Sequence, residues 1–83
     1  MSAARTIQIE YYAILREQRG AQKEEVLSDS ETPRALYDEL RALHGFSLEP
    51  SRLKVVVNDV FVEWDTALND GDRVVFIPPV AGG

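Results

Sequence analysis

The fold is decided by the stretch Asn69-Asp70-Gly71-Asp72-Arg73-Val74-Val75-Phe76-Ile77-Pro78-Pro79. Its Asn-Asp-Gly-Asp start predicts a turn in which Gly71 takes a positive φ. The next five residues, 73–77, are almost entirely apolar, which is typical of a strand at the centre of a sheet. The two prolines lack the N–H that a strand donates, so the last strand is predicted to end before them.

Four further strands are predicted from alternation and from β-branched composition. The first covers residues 6–11, where polar and apolar residues alternate and Ile7, Ile9 and Tyr11 should face the core. The others cover residues 23–27, 53–57 and 60–63. A tight turn is expected at Asn58-Asp59, between the last two.

Two helices are predicted between these strands. A short helical turn covers residues 13–19 and stops at Gly20. The main helix starts after Thr32, whose hydroxyl suits the N-cap, with Pro33 at its first position, and it stops at Gly45. Its inward face is predicted to be a leucine stripe formed by Leu36, Leu40 and Leu43.

The predicted order is strand, strand, main helix, strand, short strand, strand. This is the order of a β-grasp fold, an α+β architecture in which a mixed sheet packs on one main helix. We expect one β-grasp domain over residues 1–77 and a flexible C-terminal tail over residues 78–83, ending in Gly-Gly.

Composition favours a carrier or adapter over an enzyme with its own cleft. A chain of 83 residues buries one modest core, which leaves little room for a deep catalytic pocket. Nine Lys and Arg against fourteen Asp and Glu give a net charge of −5. Because phosphate groups need the opposite sign, nucleic acid and anionic membrane are not expected as partners.

Several site classes are excluded by missing residue types. The chain has no cysteine, so it has no disulfide, no thiol nucleophile and no cysteine-ligated metal. A single histidine, His44, cannot assemble a metal site or a histidine-based triad, and its place before Gly45 suits a helix C-terminus. No metal site is expected. No apolar run of eighteen residues occurs, and a cytoplasmic location is predicted.

A tail is predicted over the last six residues, Pro78-Pro79-Val80-Ala81-Gly82-Gly83. Six extended residues reach at most about 20 Å, enough to enter the active-site channel of a partner protein. Gly82 and Gly83 allow other groups to approach the backbone closely. The reactive group delivered there would be the carboxylate of Gly83.

A carboxylate is a poor acyl electrophile and needs activation. A mixed anhydride with AMP supplies a leaving group, and a sulfur nucleophile that displaces AMP leaves a thiocarboxylate. The chain lacks a glycine-rich phosphate loop, so a separate ATP-using enzyme is required. We therefore expect no bound cofactor, only a transient acyl-adenylate and then a 1-thioglycine at Gly83.

Strand alternation predicts a docking face on the sheet. Charged residues mark the solvent side, so Arg73, Lys54 and Glu63 should face away from the helix. The side chains that share this side are apolar, and such a cluster beside a tail is expected at a protein interface. We call these four residues the open-face cluster: Val56, Phe61, Val75 and Ile77.

Two segments resemble a known family, the small sulfur-carrier subunit of molybdopterin synthase, which belongs with the thiamin-pathway carriers among ubiquitin-like proteins. Residues 68–83 are similar to its Asp-Gly-Asp turn, apolar strand, Pro-Pro-Val and diglycine. Residues 11–20, Tyr-Tyr-Ala-Ile-Leu-Arg-Glu-Gln-Arg-Gly, resemble the pattern after its first strand.

The resemblance implies that the chain is not catalytic alone but is the sulfur-donor subunit of a heterotetrameric synthase. Gly83 would carry the thiocarboxylate, Gly82 would precede it, and sulfur would pass to cyclic pyranopterin monophosphate for molybdenum cofactor. The implied partners are the large subunit, an adenylating enzyme, and a sulfurtransferase or cysteine desulfurase. The residues expected to meet the large subunit are Phe61, Val75, Ile77, Pro78, Pro79, Val80 and Ala81.

Three alternatives stay open at this stage. Trp64 resembles a tryptophan of some thiamin-pathway carriers, so a role in that pathway is one alternative. A ubiquitin-like modifier that forms isopeptide bonds is the second, because it uses the same activated terminus. A pure interaction domain with an inert tail is the third.

Overall fold

The computed structural model describes residues 4–79 of the chain. Its elements are β1 (Arg5–Tyr11), α1 (Ala13–Arg19), β2 (Lys23–Ser28), α2 (Pro33–His44), a single 3-10 turn (Pro50–Arg52), β3 (Lys54–Val57), β4 (Val60–Val62) and β5 (Arg73–Ile77). Each predicted strand and helix is present, with boundaries that shift by at most one residue. The 3-10 turn lies between α2 and β3, where no helix or strand was predicted.

The five strands form one mixed sheet in the order β2-β1-β5-β3-β4. β1 and β5 run parallel, and the other neighbouring pairs run antiparallel. The last strand of the chain is therefore central, as its apolar composition predicted. This topology, with α2 packed across one side, is the β-grasp fold.

Local chemistry fixes both ends of α2. The hydroxyl of Thr32 accepts a hydrogen bond from the backbone N–H of Ala35 at 3.2 Å, and Pro33 occupies the first turn. At the other end Gly45 has a φ of 74° and donates its N–H to the carbonyl oxygen of Arg41 at 2.8 Å. The predicted helix start and stop are confirmed.

The core lies between α2 and one face of the sheet. The parity predicted for the strands is confirmed, because the side chains on the inward side of each predicted core strand, such as Ile7, Ile9 and Tyr11, are buried. Three aromatic rings from different elements join them: Tyr37 lies between Phe46 and Phe76, with centroids 5.9 and 5.1 Å away. The sheet and loop side chains in this core include Ile7, Ile9, Tyr11, Leu53, Val55, Val57, Leu68, Val74 and Phe76.

The predicted leucine stripe of α2 is wrong at one position. Leu36 and Leu40 are buried, but Leu43 is 69% exposed and Tyr37 is buried instead. At about 100° per residue, Leu36 and Tyr37 bound the buried sector, and Leu43 lies about 20° outside it. Helical spacing alone assigns Leu43 to the buried face of α2, whereas the position of the sheet leaves it exposed.

No helix within residues 4–79 is long and apolar enough to cross a membrane.

Candidate docking face and tail root

The open-face cluster forms a continuous row across three strands. Val56 on β3 lies opposite Phe61 on β4 and opposite Val75 on β5. Ile77 lies two residues further along β5, opposite Lys54. Phe61 is 69% exposed, and the other three apolar side chains are half-buried. The sheet register thus brings the predicted residues onto one face, away from α2.

Polar side chains occupy the other half of this face. Glu10, on β1, lies opposite Val75 and accepts a hydrogen bond at 2.6 Å from the hydroxyl of Tyr12. That bond, with partial burial and the carboxylate charge, raises the pKa of Tyr12. Arg73 pairs with Asp59 in the turn between β3 and β4. Apart from the isolated Leu27 on β2, the apolar side chains of this face lie on β3, β4 and β5.

The root of the tail lies against α1. β5 ends at Ile77, and Pro78 is buried while Pro79 is exposed. A groove runs beside the two prolines, formed by one side of α1 and by the loop after α2; its lining residues are Ala13, Ile14, Arg16, Glu17, Leu48, Pro78 and Pro79. The last strand thus carries part of the open-face cluster and leads directly into Pro78 and Pro79.

Four of the predicted site residues lie outside the described residues: Val80, Ala81, Gly82 and Gly83. Of the others, Phe61, Val75 and Ile77 share the open face, and Pro78-Pro79 follows directly after it. Their contact with a partner stays a prediction.

Comparison with known proteins shows the family. The family model described as "ThiS family" matches residues 9–83, nearly the whole chain. The chain belongs to the ThiS family.

Within the ThiS family, the chain is 38% identical over 80 residues to the molybdopterin synthase sulfur carrier subunit of Escherichia coli strain K12, covering 93% of this chain and 99% of that one. The fold resembles a protein described as molybdopterin converting factor subunit 1 from Pyrococcus furiosus, with a TM-score of 0.74, 28% identity, and coverage of 92% and 99%. It also resembles a chain in the complex of subunits 1 and 2 of molybdopterin-converting factor from Helicobacter pylori, with a TM-score of 0.63, 22% identity, and coverage of 94% and 99%.

The acidic turn of this ThiS-family chain is explained by its structure. Asp70 accepts the backbone N–H of Thr6 at 2.7 Å, and Gly71 has a φ of 86°. The two carboxylate oxygens of Asp72 accept from the Asn58 side chain at 2.9 Å and from the Asn69 N–H at 2.8 Å. The bonds from Thr6 and Asn58 tie this turn to β1 and to the turn between β3 and β4, and the predicted turn is confirmed. Residues 4–79 contain no group of three or more side chains suited to a metal.

The sequence did not predict a polar cluster around Glu24, which lies at the end of β1 that is far from the acidic turn. Glu24 accepts hydrogen bonds from the Tyr11 hydroxyl and from Arg19 Nε, the latter at 3.1 Å, and lies 3.0 Å from His44 Nε2. Alternation placed Tyr11 in the core correctly but could not show that its hydroxyl reaches a carboxylate on β2. The pairing of Arg19 with Glu24, across the turn after α1, was the available signal.

Proposed function

We propose that this protein is the sulfur-carrier subunit of a molybdopterin synthase and that the Gly83 carboxyl becomes a thiocarboxylate. The observation that carries the proposal is the continuity of β5: Val75 and Ile77 contribute to an apolar docking face, and the same strand continues into the prolines of the tail. Membership in the ThiS family and the sulfur-carrier relative support the same role.

The chemistry divides between this chain and its partners. An adenylating enzyme would transfer AMP from ATP to the Gly83 carboxylate and release pyrophosphate. A sulfur donor, either a sulfurtransferase or a cysteine desulfurase, would then attack the acyl-adenylate with a cysteine persulfide, so that a C–S bond replaces the C–O bond to phosphate and AMP leaves. A thiol of a partner protein would reduce the resulting acyl disulfide and release the thiocarboxylate, since this chain has no cysteine. This chain contributes the carboxyl group and the surface that presents it, whereas catalytic side chains belong to the partners.

Docking through the open face would position the tail at the active site of the large subunit. Standard protein interfaces bury about 800 Å² on each partner, more than a six-residue tail supplies alone. The open-face cluster adds apolar area next to the point where the tail leaves the sheet. We propose that the large subunit covers this face while the tail enters its active site, where sulfur passes to cyclic pyranopterin monophosphate in a heterotetramer.

The proposal is tested by intact-mass spectrometry. The full chain is incubated with its adenylating enzyme, ATP and a sulfur donor, and the mass should rise by the difference between sulfur and oxygen, about 16 Da. The thiocarboxylated protein is then mixed with the large subunit and the pterin precursor. Molybdopterin should form in proportion to the thiocarboxylate consumed.

Matched tail variants separate the terminus from the fold. Deleting Gly83, or adding one alanine after it, should abolish transfer and leave the melting temperature of the domain unchanged. Gly82→Val should impair transfer because the valine side chain would sterically hinder entry of the tail into the active-site channel of the partner. An extended variant that forms product at the parent rate would refute the role of Gly83. Lysine-linked conjugates in place of free thiocarboxylate would indicate a protein modifier instead.

A further inference from the structure

The outer edge of β4 carries backbone groups that no other described segment uses. The two-residue turn Asn58-Asp59, with φ values of 52° and 71°, makes Val57 and Val60 the closing pair of the hairpin. Residues in an antiparallel pair alternate between hydrogen-bonded and non-hydrogen-bonded positions. Phe61 is therefore at a non-hydrogen-bonded position, and its N–H and C=O point away from β3.

The neighbouring strand pair supports this assignment. The Asn58 N–H donates to the carbonyl oxygen of Arg73 at 2.8 Å. Counting by two along the ladder, Val56 then directs its backbone groups towards β5 and not towards Phe61. Within residues 4–79, no hydrogen bond is made by the backbone of Phe61 outside the sheet ladder.

The opposite edge of the sheet is protected in a way that β4 is not. The edge strand β2 presents the charged side chains Lys23 and Glu25 on the open face, a common protection against strand addition. β4 consists of Val60, Phe61 and Val62, and its first two side chains are 60% and 69% exposed. Its edge is apolar and accessible.

A groove lies beside this edge, at the end where β3 and β4 separate. Trp64 stacks on Phe76 with centroids 6.0 Å apart and is half-buried, so part of its ring contributes to the groove. Aromatic side chains that are partly desolvated are frequent anchors at protein interfaces. The groove is lined by Ser51, Leu53, Lys54, Val55, Phe61, Val62, Glu63, Trp64 and Thr66.

Charge decides what can pair with the edge. Asp59 and Glu63 flank Phe61 at two residues on either side, and both are exposed. A second copy pairing antiparallel about Phe61 would place Asp59 opposite Glu63, so like charges would meet twice. Asp59 is paired with Arg73 on its inner side, yet 80% of its side chain is exposed. The edge is thus poorly matched to itself and complementary to a basic strand.

We infer that β4 accepts an extended segment of another protein whose sequence has the form basic-x-apolar-x-basic. The apolar residue lies opposite Phe61 and exchanges two backbone hydrogen bonds with it. The basic residues lie opposite Asp59 and Glu63. The added strand extends the sheet from five strands to six, and it enlarges the contact beside the open-face cluster without using the tail.

The probe is a synthetic acetylated and amidated peptide with the core Lys-Thr-Val-Thr-Lys. Titrated into ¹⁵N-labelled full chain, it should shift the amide signals of residues 60–63 most. Two matched peptides separate charge from backbone pairing. One replaces both lysines with glutamate, and the other carries an N-methyl group on the valine. Each should bind at least about tenfold more weakly, a loss of about 1.4 kcal/mol.

Two variants test the same contact from the protein side. Phe61→Ala removes the ring and keeps the N–H, whereas Phe61→Pro removes both. Because that N–H is not used by β3, the Phe61→Pro variant should keep the ladder and lose peptide affinity by several-fold more than Phe61→Ala. Should Phe61→Pro fail to fold, the N-methylated peptide still decides the question.

Three results with the peptides would overturn the inference. They are equal binding of the N-methylated and parent peptides, shifts centred on β2 or on α1, and equal or tighter binding of the glutamate peptide. A dimer of the free protein in sedimentation, lost in Phe61→Pro, would assign the edge to a second copy instead. None of these measurements involves the thiocarboxylate. A result that overturns strand addition at β4 would therefore leave the sulfur-carrier proposal untouched.

Discussion

His44 Nε2 lies 3.0 Å from Oε2 of Glu24, which joins the last residue of α2 to the outer strand β2. The same carboxylate accepts hydrogen bonds from Tyr11 on β1 and from Arg19 at the end of α1. One side chain therefore connects two strands and the C-terminal ends of both helices. A cation at a helix C-terminus is favourable in itself, and Arg19 at the end of α1 is also paired with this carboxylate.

We predict that Glu24→Gln destabilises the fold by about 2 kcal/mol near neutral pH, the range for hydrogen bonds to a charged group. Burial acts to raise the pKa of Glu24, but hydrogen bonds from Arg19 and Tyr11, with the charges of Arg19 and His44, outweigh it and lower the pKa. A lowered folded-state pKa gives stability that is present above the unfolded pKa and lost as the pH falls through the folded value.

The measurement is the urea midpoint of the parent and the variant from pH 3 to pH 8. The difference between the two should be present at about pH 5 and shrink below about pH 4. Glu25→Gln is the matched control, because Glu25 is exposed and lies on the other face of β2. A pH-independent difference, or an equal loss in the control, would contradict this assignment.

A second prediction concerns the two aspartates of the acidic turn. Asp72→Asn should cost about 1–2 kcal/mol, because both carboxylate oxygens accept hydrogen bonds and one must become an amide nitrogen facing a donor. Asp70→Asn keeps the single acceptor that Thr6 uses, so its cost should stay within about 0.5 kcal/mol. Thermal unfolding of the two variants compares them directly, and equal losses would show that the bonds to Asp72 contribute little.

The glycine that ends α2 supports a third prediction. Gly45 has a φ of 74°, and a side-chain carbon at this position would meet no atom within 4 Å. Gly45→Ala should therefore cost about 1 kcal/mol from backbone strain alone. Gly45→Asn should cost less, because asparagine tolerates this conformation. The urea midpoints of the two variants, compared at unchanged dependence of the unfolding free energy on urea, would show which substitution costs more stability.

The sequence predicted most of the fold because local and global signals agree. Alternation in β1, the N-cap at Thr32 and the glycine at position 45 each define an element boundary without knowledge of its neighbours. The strand parity of Arg73 and Lys54 also assigned the open face correctly, since successive side chains point to opposite sides.

Long-range placement could not be predicted in the same way. Leu43 matches helical spacing, yet only the position of the sheet decides that it is exposed. The carboxylate of Glu24 meets His44 across 20 positions of sequence, and the groove at the tail root joins Leu48 to α1. These contacts depend on how elements pack, which periodicity does not specify.

The docking face leads to the last prediction. Phe61→Asp should weaken binding to the large subunit of molybdopterin synthase at least about thirtyfold, the loss expected for an interface anchor. The stability of the isolated protein should change by no more than about 1 kcal/mol, since the ring is 69% exposed and lies on an edge strand. Isothermal titration of the two proteins gives the affinity, and thermal unfolding gives the stability.

Leu27→Asp provides the matched control for this measurement. Leu27 lies on β2, opposite Thr6 of β1, and is 71% exposed. It therefore presents an apolar side chain on the same face as Phe61, at the other edge of the sheet. Its replacement adds the same charge away from the open-face cluster and should leave binding within about twofold, which is about 0.4 kcal/mol. Equal losses in the two variants would indicate a general effect of added negative charge. Loss in Phe61→Asp alone would assign the contact to the β3–β4–β5 side of the face, where the sheet continues into the tail.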